Sequence, residues 1–264
     1  MTSPSAQMLK TLISVSWLAA TLLQLAVLIR LIHLGVAVRY RWLFAWLATS
    51  TAISMFLGTY RTDPDSYHRN YTWCMILLGA LECAVTWEAF AQRCAYYGGV
   101  RKFGRGLLAG LIAIGVFVSL FFLRAQFVVG DWPKISGSVT TIKYVVDALL
   151  GVFLLSTEVV FSLLWKPEMR RNVLVYCRAF TAQMLLSAAI YLVHNMTGDR
   201  LGSLLSALLQ VLALCFAVAL LVGFRQSGEV WEATPGSAEQ VAIAKKRLQS
   251  AVDFIDDLKS SSKR

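Results

Sequence analysis

Seven long apolar segments are the feature that most restricts how this chain can fold. A helix needs about 20 largely apolar residues to cross the hydrocarbon core of a bilayer. The segments lie near residues 11–34, 42–59, 72–92, 105–129, 140–165, 173–194 and 202–224. None shows the alternation of apolar and polar residues that is typical of a barrel strand. We therefore predict an all-α membrane protein, a seven-transmembrane-helix bundle over residues 11–224, with a short N-terminal segment (1–10) and a tail (225–264).

The composition excludes several classes of protein. Of the 264 residues, 57% are hydrophobic and 15% are charged, and the mean hydropathy is +0.61, which excludes a water-soluble enzyme. A net charge of +10 in so apolar a chain predicts contact with anionic lipid headgroups rather than with nucleic acid. The five cysteines are an odd number, so they do not indicate the disulfide framework of a secreted domain.

The distribution of Lys and Arg predicts the orientation of the bundle. The connections that follow the first, third and fifth segments carry ten of these residues near the helix ends, and the opposite side carries seven. Basic residues are retained preferentially on the cytoplasmic side of a membrane. We therefore expect the N-terminus outside and the C-terminal tail in the cytoplasm.

Acidic side chains inside apolar segments are the most informative residues, because each is costly near the bilayer centre unless it is paired or hydrated. Four of them qualify: Glu82, Glu88, Asp147 and Glu158. At 100° per residue, Asp147 and Glu158 lie about 20° apart on a helix, which predicts a polar stripe on the fifth helix. The sixth helix carries a matching stripe that includes Gln183 and His194.

Charges of both signs are expected at the cytoplasmic end of the bundle. The predicted topology places four of them there as candidates for buried ion pairs: Arg30, Glu88, Glu158 and Arg178. In one interpretation these charges hold four helices in register. In the other, one carboxylate changes its protonation or its partner when a ligand or proton arrives, and this shifts the balance between two helix arrangements.

Glu82 is expected near the midplane, where no Lys or Arg is predicted at the same depth. Its predicted neighbours are Gln24, Gln183 and Gln210, so a neutral, protonated side chain is expected. This side chain either forms hydrogen bonds between helices or belongs to a ligand or proton site. The candidates for such a site are Glu82, Gln183, Gln210, Asp147 and His194.

No cofactor, metal site or catalytic residue is predicted. The last segment has no lysine to form a retinal Schiff base, and His33, His68 and His194 lie at segment ends or in a loop, where they do not suit haem ligation. His68 is assigned with Asp63 and Asp65 to a solvated loop rather than to a metal site. Hydrolase, ATPase and zinc-binding motifs are absent from the sequence, so an enzyme is not expected.

The tail contains a second predicted interaction surface. Ser237 followed by Gln240 has the spacing of a capping box, and the helix that it begins extends to about residue 259. The apolar seam of this helix includes Val241, Leu248, Ile255 and Leu258. Three interpretations remain open: the helix lies on the membrane or on the bundle, it forms a homodimer, or it docks to a cytoplasmic protein partner.

Two short motifs resemble uncharacterised seven-helix membrane proteins of bacteria. They are RYRWLFAWL, which begins at Arg39, and LLGALEC, which contains Glu82. The expected orientation is similar to that of the seven-helix sensor modules of bacterial signalling proteins, although no output domain follows the last segment. This resemblance implies a multi-pass protein of the bacterial inner membrane, either a receptor-like sensor or an accessory subunit that binds a small ligand, a lipid or a partner protein. The alternative is a proton-coupled transporter or channel in which Glu82 and Glu158 titrate.

Overall fold

The computed structural model describes residues 4–59, 63–94, 101–102, 104–115, 117, 131–164, 170–197 and 202–229. Seven helices occupy this part of the chain: α1 (Pro4–His33), α2 (Arg41–Thr59), α3 (Pro64–Arg93), α4 (Gly104–Gly115), α5 (Trp132–Leu164), α6 (Arg171–Thr197) and α7 (Gly202–Gly223). A single 3₁₀ turn, Ser227–Glu229, follows α7.

Six of the helices, all except α4, are long and apolar enough to cross a membrane. The predictions of an all-α fold and of a multi-pass membrane protein are confirmed at this level. The fourth predicted segment, 105–129, is described only in part. The predicted tail helix and its seam, Val241, Leu248, Ile255 and Leu258, lie outside the described residues.

Local sequence signals explain where α3 begins and how the chain turns after α1. Asp63 is the N-cap of α3, and its side chain accepts a hydrogen bond from the Ser66 amide at 3.4 Å. Pro64 follows at the first helical position, where its missing amide hydrogen costs no hydrogen bond. Gly35, with φ of 67°, lies just after α1 in a left-handed conformation that favours glycine, and it allows the tight connection to α2.

Three helices begin well before the predicted segments, and α1, which starts at Pro4 rather than at residue 11, includes most of the predicted N-terminal segment 1–10. Both α3 and α5 start eight residues before the predicted segments at 72 and 140, because their first two turns contain polar residues that lower the local hydropathy. The placement of His68 in a loop is therefore wrong: it lies in α3, with Nδ1 3.2 Å from Ser136 Oγ of α5. The earlier start also places Lys143 about 16 Å along the axis of α5 rather than at its beginning.

The helices α3 and α5 pack side by side and run parallel. His68 near the start of α3 meets Ser136 near the start of α5, and Arg93 at the end of α3 meets Glu158 near the end of α5. The chain between them therefore returns from one end of the bundle to the other. The helix α5 also packs against α6, while α7 packs against α1 and α6.

Aromatic side chains fill the core between α2, α6 and α7. Tyr40, just before α2, makes edge-to-face contacts with Tyr176 and Phe224, with ring centroids 5.7 and 5.2 Å apart. Trp46 packs in the same way against Phe180 and Phe216. Each pair adds a specific orientation to the apolar area that it buries.

Gly104 provides a test of how α4 packs against α3. The ring of buried Phe90 lies where a Cβ atom at position 104 would stand, whereas a Cβ at Gly110 would meet no described atom within 4 Å. We expect Gly104→Ala to destabilise the protein by about 1–3 kcal/mol through overpacking. Gly110→Ala, on the same helix, is the control and should melt at or slightly above the wild-type temperature, because alanine favours the helix more than glycine does. Thermal unfolding in detergent micelles measures both, and equal melting temperatures for the two variants would contradict the packing.

Candidate functional site

One ammonium group shared by two carboxylates lies inside the bundle. Lys143 Nζ is 2.7 Å from Asp147 Oδ2, one turn further along α5, and 3.0 Å from Glu82 Oε2 on α3. The three side chains are at most 12% exposed. Trp46 of α2 donates a hydrogen bond from Nε1 to Glu82 Oε1 at 3.3 Å. Three helices thus converge on what we term the triad, Glu82, Lys143 and Asp147.

The triad has an unbalanced charge. With both carboxylates ionised, its three groups carry a net charge of −1. Asp147 Oδ1 has no hydrogen-bond partner among the described residues. One added proton would make the triad neutral, so this arrangement is able to hold a proton as well as an ion pair.

The expectation that Glu82 has no cation at its depth is wrong. The predicted start of α5 at residue 140 placed Lys143 at the membrane surface, whereas the observed start brings it level with Glu82. Of the predicted neighbours, Gln24 accepts a hydrogen bond from Thr51 at 3.2 Å instead. In the described part of the chain, Gln183 and Gln210 form no hydrogen bond with Glu82.

A cavity of about 350 Å³ lies between α3, α5, α6 and α7, at the end of the bundle where α3, α5 and α7 begin. Its polar and aromatic lining includes Tyr67, His68, Tyr71, Tyr144, Tyr191 and His194. The rings of Tyr144 and Tyr191 stack with centroids 4.2 Å apart. Rings combined with hydroxyl groups form a wall that suits a small molecule with both an aromatic and a polar part.

Tyr144 connects the cavity to the triad. Its ring lines the cavity, and Lys143 Nζ lies 5.1 Å from the ring centroid. An ammonium group at this distance from an aromatic face is attracted by the ring quadrupole. The same residue therefore contacts both the cavity and the shared cation.

Of the five predicted ligand or proton residues, two belong to the triad, one lines the cavity and two lie outside both sites. Glu82 and Asp147 share Lys143. His194 lines the cavity, and its Nδ1 has no hydrogen-bond partner in the described ranges. Gln183 and Gln210 are half-buried on α6 and α7, and they belong to neither the triad nor the cavity lining.

Of the four predicted ion-pair residues, the structure brings two together. Arg178 Nε lies 2.6 Å from Glu158 Oε1, with the arginine side chain 60% exposed. The sequence reasoning missed Arg93, whose Nη2 lies 3.5 Å from Glu158 Oε2. Arg93 lies just beyond the predicted third segment, 72–92, but it is the last residue of α3 and is buried.

Arg30 and Glu88 do not join this cluster, so the expectation of a four-residue cluster needs correction. Arg30 donates to the carbonyl of Phe224 from Nε at 3.2 Å and from Nη2 at 2.9 Å. Glu88 accepts hydrogen bonds from the amides of Trp42 and Leu43, both at 3.3 Å. The physical reason is that helix ends leave unpaired backbone groups, which attract a cation at the C-terminus and an anion at the N-terminus.

No group of three or more His, Cys, Asp or Glu side chains in the described ranges lies where it could hold a metal ion. Comparison of the chain with protein-family models, with curated proteins and with solved structures finds no match. The site is therefore interpreted from its own geometry.

Some missed residues did leave a signal in the sequence. Lys143 lies four residues before Asp147, itself a predicted site residue, and this is the spacing of a helical ion pair, while the missed residues Tyr67 and Tyr71 share the same spacing on α3. Trp46 left no such signal, because its contact with Glu82 depends on how α2 packs against α3. The tyrosines of the cavity come from α3, α5 and α6, so their proximity depends on how these helices pack.

Removal of the shared cation tests the triad. Lys143→Gln leaves two buried carboxylates without a positive partner, so we expect a loss of about 3–5 kcal/mol of stability. The triple variant Glu82→Gln, Lys143→Gln, Asp147→Asn removes the uncompensated charge and should recover much of that loss. Lys134→Gln is the control, because Lys134 forms an exposed pair with Asp131 and should melt as the wild type does. Thermal unfolding in micelles is the measurement, and a Lys143→Gln variant as stable as the wild type would contradict the ion pairs.

Proposed function

We propose that this chain is a receptor-like membrane sensor that binds a small molecule in the cavity and transmits its presence through the triad. The observation that carries this proposal is the contact between Tyr144 and Lys143, because one ring both lines the cavity and holds the shared cation. The lining favours a ligand with an aromatic ring, which stacks on the tyrosines, and a polar group, which hydrogen-bonds to their hydroxyls.

In the proposed mechanism, the ligand changes how Glu82 and Asp147 share the ammonium group of Lys143. A ligand that displaces Tyr144 or Tyr191 alters the position of Lys143 between Asp147 on its own helix and Glu82 on α3. In one arrangement Lys143 lies closer to Asp147, and in the other it lies closer to Glu82, which links α3 to α5 more strongly. A ligand that binds better to one arrangement increases the fraction of molecules in that arrangement. Tyr191 also lies 3.2 Å from the Thr141 hydroxyl, so α6 takes part in the same change.

The proposal includes seven spans, with the fourth formed by residues 105–129. The parallel packing of α3 and α5 supports it, because the chain between two parallel neighbours returns across the bundle. With the N-terminus outside and the C-terminus in the cytoplasm, as the Lys and Arg distribution favours, the cavity faces the outside. The protein would then sit in a bacterial inner membrane, and the tail helix would report to a cytoplasmic partner or to a second copy.

Filling the cavity tests the binding proposal. Gly137 lines the cavity, and a Cβ atom there would meet no described atom within 4 Å, so we expect Gly137→Leu to occupy ligand space. Gly79 on α3 has equal room but does not line the cavity, so Gly79→Leu is the control. A library of small aromatic amines, alcohols and acids is screened by thermal shift in micelles. We expect some members to stabilise the wild type and Gly79→Leu but not Gly137→Leu.

Two results would contradict a ligand site in the cavity. One is that no member of the library stabilises the wild type. The other is that Gly137→Leu responds as strongly as the wild type, because the ligand would then bind elsewhere.

A proton-coupled transporter is the second candidate, and the capacity of the triad to accept one proton favours it. Proteoliposomes that contain a pH-sensitive dye and carry a pH gradient separate the two functions. A sensor should give the same proton leak as protein-free vesicles. Substrate-coupled proton uptake that is lost in Glu82→Gln would overturn the sensor proposal and support transport.

A further inference from the structure

Four arginines lie towards the end of the bundle opposite the cavity. They are Arg93, Arg101, Arg105 and Arg178, which we term the arginine corner. Glu158 pairs with two of them. The carboxylate of Glu88 accepts hydrogen bonds from the first turn of α2 and forms no ion pair with these arginines in the described structure.

Arg93 is the centre of this corner. It is only 3% exposed, and its Nε and Nη1 have no hydrogen-bond partner among the residues that the structure describes. Its ion pair with Glu158, at 3.5 Å, is long for a charge-assisted hydrogen bond. A buried guanidinium with unused donors is costly unless an acceptor reaches it.

Arg101 and Arg105 are held close to the same end of α3. Burial raises the pKa of Cys94 to about 11, and the positive charges of Arg93 and Arg101 lie near enough to oppose part of this rise. The Arg105 guanidinium lies 5.3 Å from the ring centroid of Trp87. The Nε atoms of both arginines are buried, and neither has a hydrogen-bond partner in the described ranges.

We propose that the arginine corner binds the phosphate group of an anionic phospholipid. Guanidinium groups bind phosphate oxygens through paired, charge-assisted hydrogen bonds. Arg93 is the last residue of the apolar span Ser66–Arg93, so the corner lies at the depth of lipid headgroups.

The surface around the corner favours a lipid over a free phosphate ion. Arg178 is 60% exposed on the outside of the bundle, next to its partner Glu158 on α5. Val159 and Val160, the next residues of α5, are 47% and 44% exposed. Acyl chains can therefore pack on α5 while the phosphate reaches the arginines.

The corner is independent of the proposed ligand cavity, because the two sites lie at opposite ends of the bundle and share no residue. Dioleoyl phosphatidylglycerol is the probe, with dioleoyl phosphatidylcholine as its neutral counterpart. Binding to the full-length protein in micelles is measured by native mass spectrometry and by the shift in melting temperature.

The test compares substitution of arginines in the corner with substitution of Lys102, which lies outside the corner. We expect Arg101→Gln, Arg105→Gln double substitution to weaken phosphatidylglycerol binding by about tenfold or more. Lys102→Gln removes one exposed charge from the same segment and should bind as the wild type does. If the double variant fails to fold, the exposed Arg178→Gln gives the same test.

Three results would overturn the proposal. Unchanged binding in the arginine variants would show that the corner does not hold the lipid. An equal loss in Lys102→Gln would show that only overall charge matters. Equal stabilisation by inorganic phosphate in lipid-free micelles, with no added effect of phosphatidylglycerol, would assign the corner to a free ion instead.

Discussion

The ammonium group of Lys143 is the interaction on which the centre of this bundle depends. Two carboxylates from two helices share it, in a region where an uncompensated charge costs several kcal/mol. Because Asp147 lies on the same helix as Lys143, that pair forms within α5 alone, while Glu82 ties α3 to it. The protein therefore links two parallel helices through one shared cation.

Two other charged side chains, Arg30 and Glu88, bind backbone groups at helix ends. Arg30 binds the carbonyl of Phe224 near the end of α7, and Glu88 binds two amides at the start of α2. These side chains supply hydrogen bonds that helix ends cannot make internally and that lipid cannot replace. An ionisable residue within a membrane helix is thus as readily a cap for a neighbouring helix as it is a functional group.

The sequence predicted the existence and apolar character of the helices well, because hydropathy over about 20 residues is a strong signal. It misplaced the starts of α3 and α5, since their first turns are polar but still helical. Because α5 starts eight residues earlier than predicted, Lys143 was not recognised as the partner of Glu82. Depth alone placed Glu158 and Arg178 at the same end of the bundle but did not show which of the four predicted charges pair. The cavity depends on how four helices pack, which hydropathy does not encode.

The parallel pairing of α3 and α5 restricts the kind of motion that can pass along it. Polar contacts join the two helices at three heights: His68 with Ser136, Glu82 with Lys143, and Arg93 with Glu158. Axial sliding by a single residue rise, about 1.5 Å, would stretch all three together. This pair therefore resists piston movement of one helix along the other.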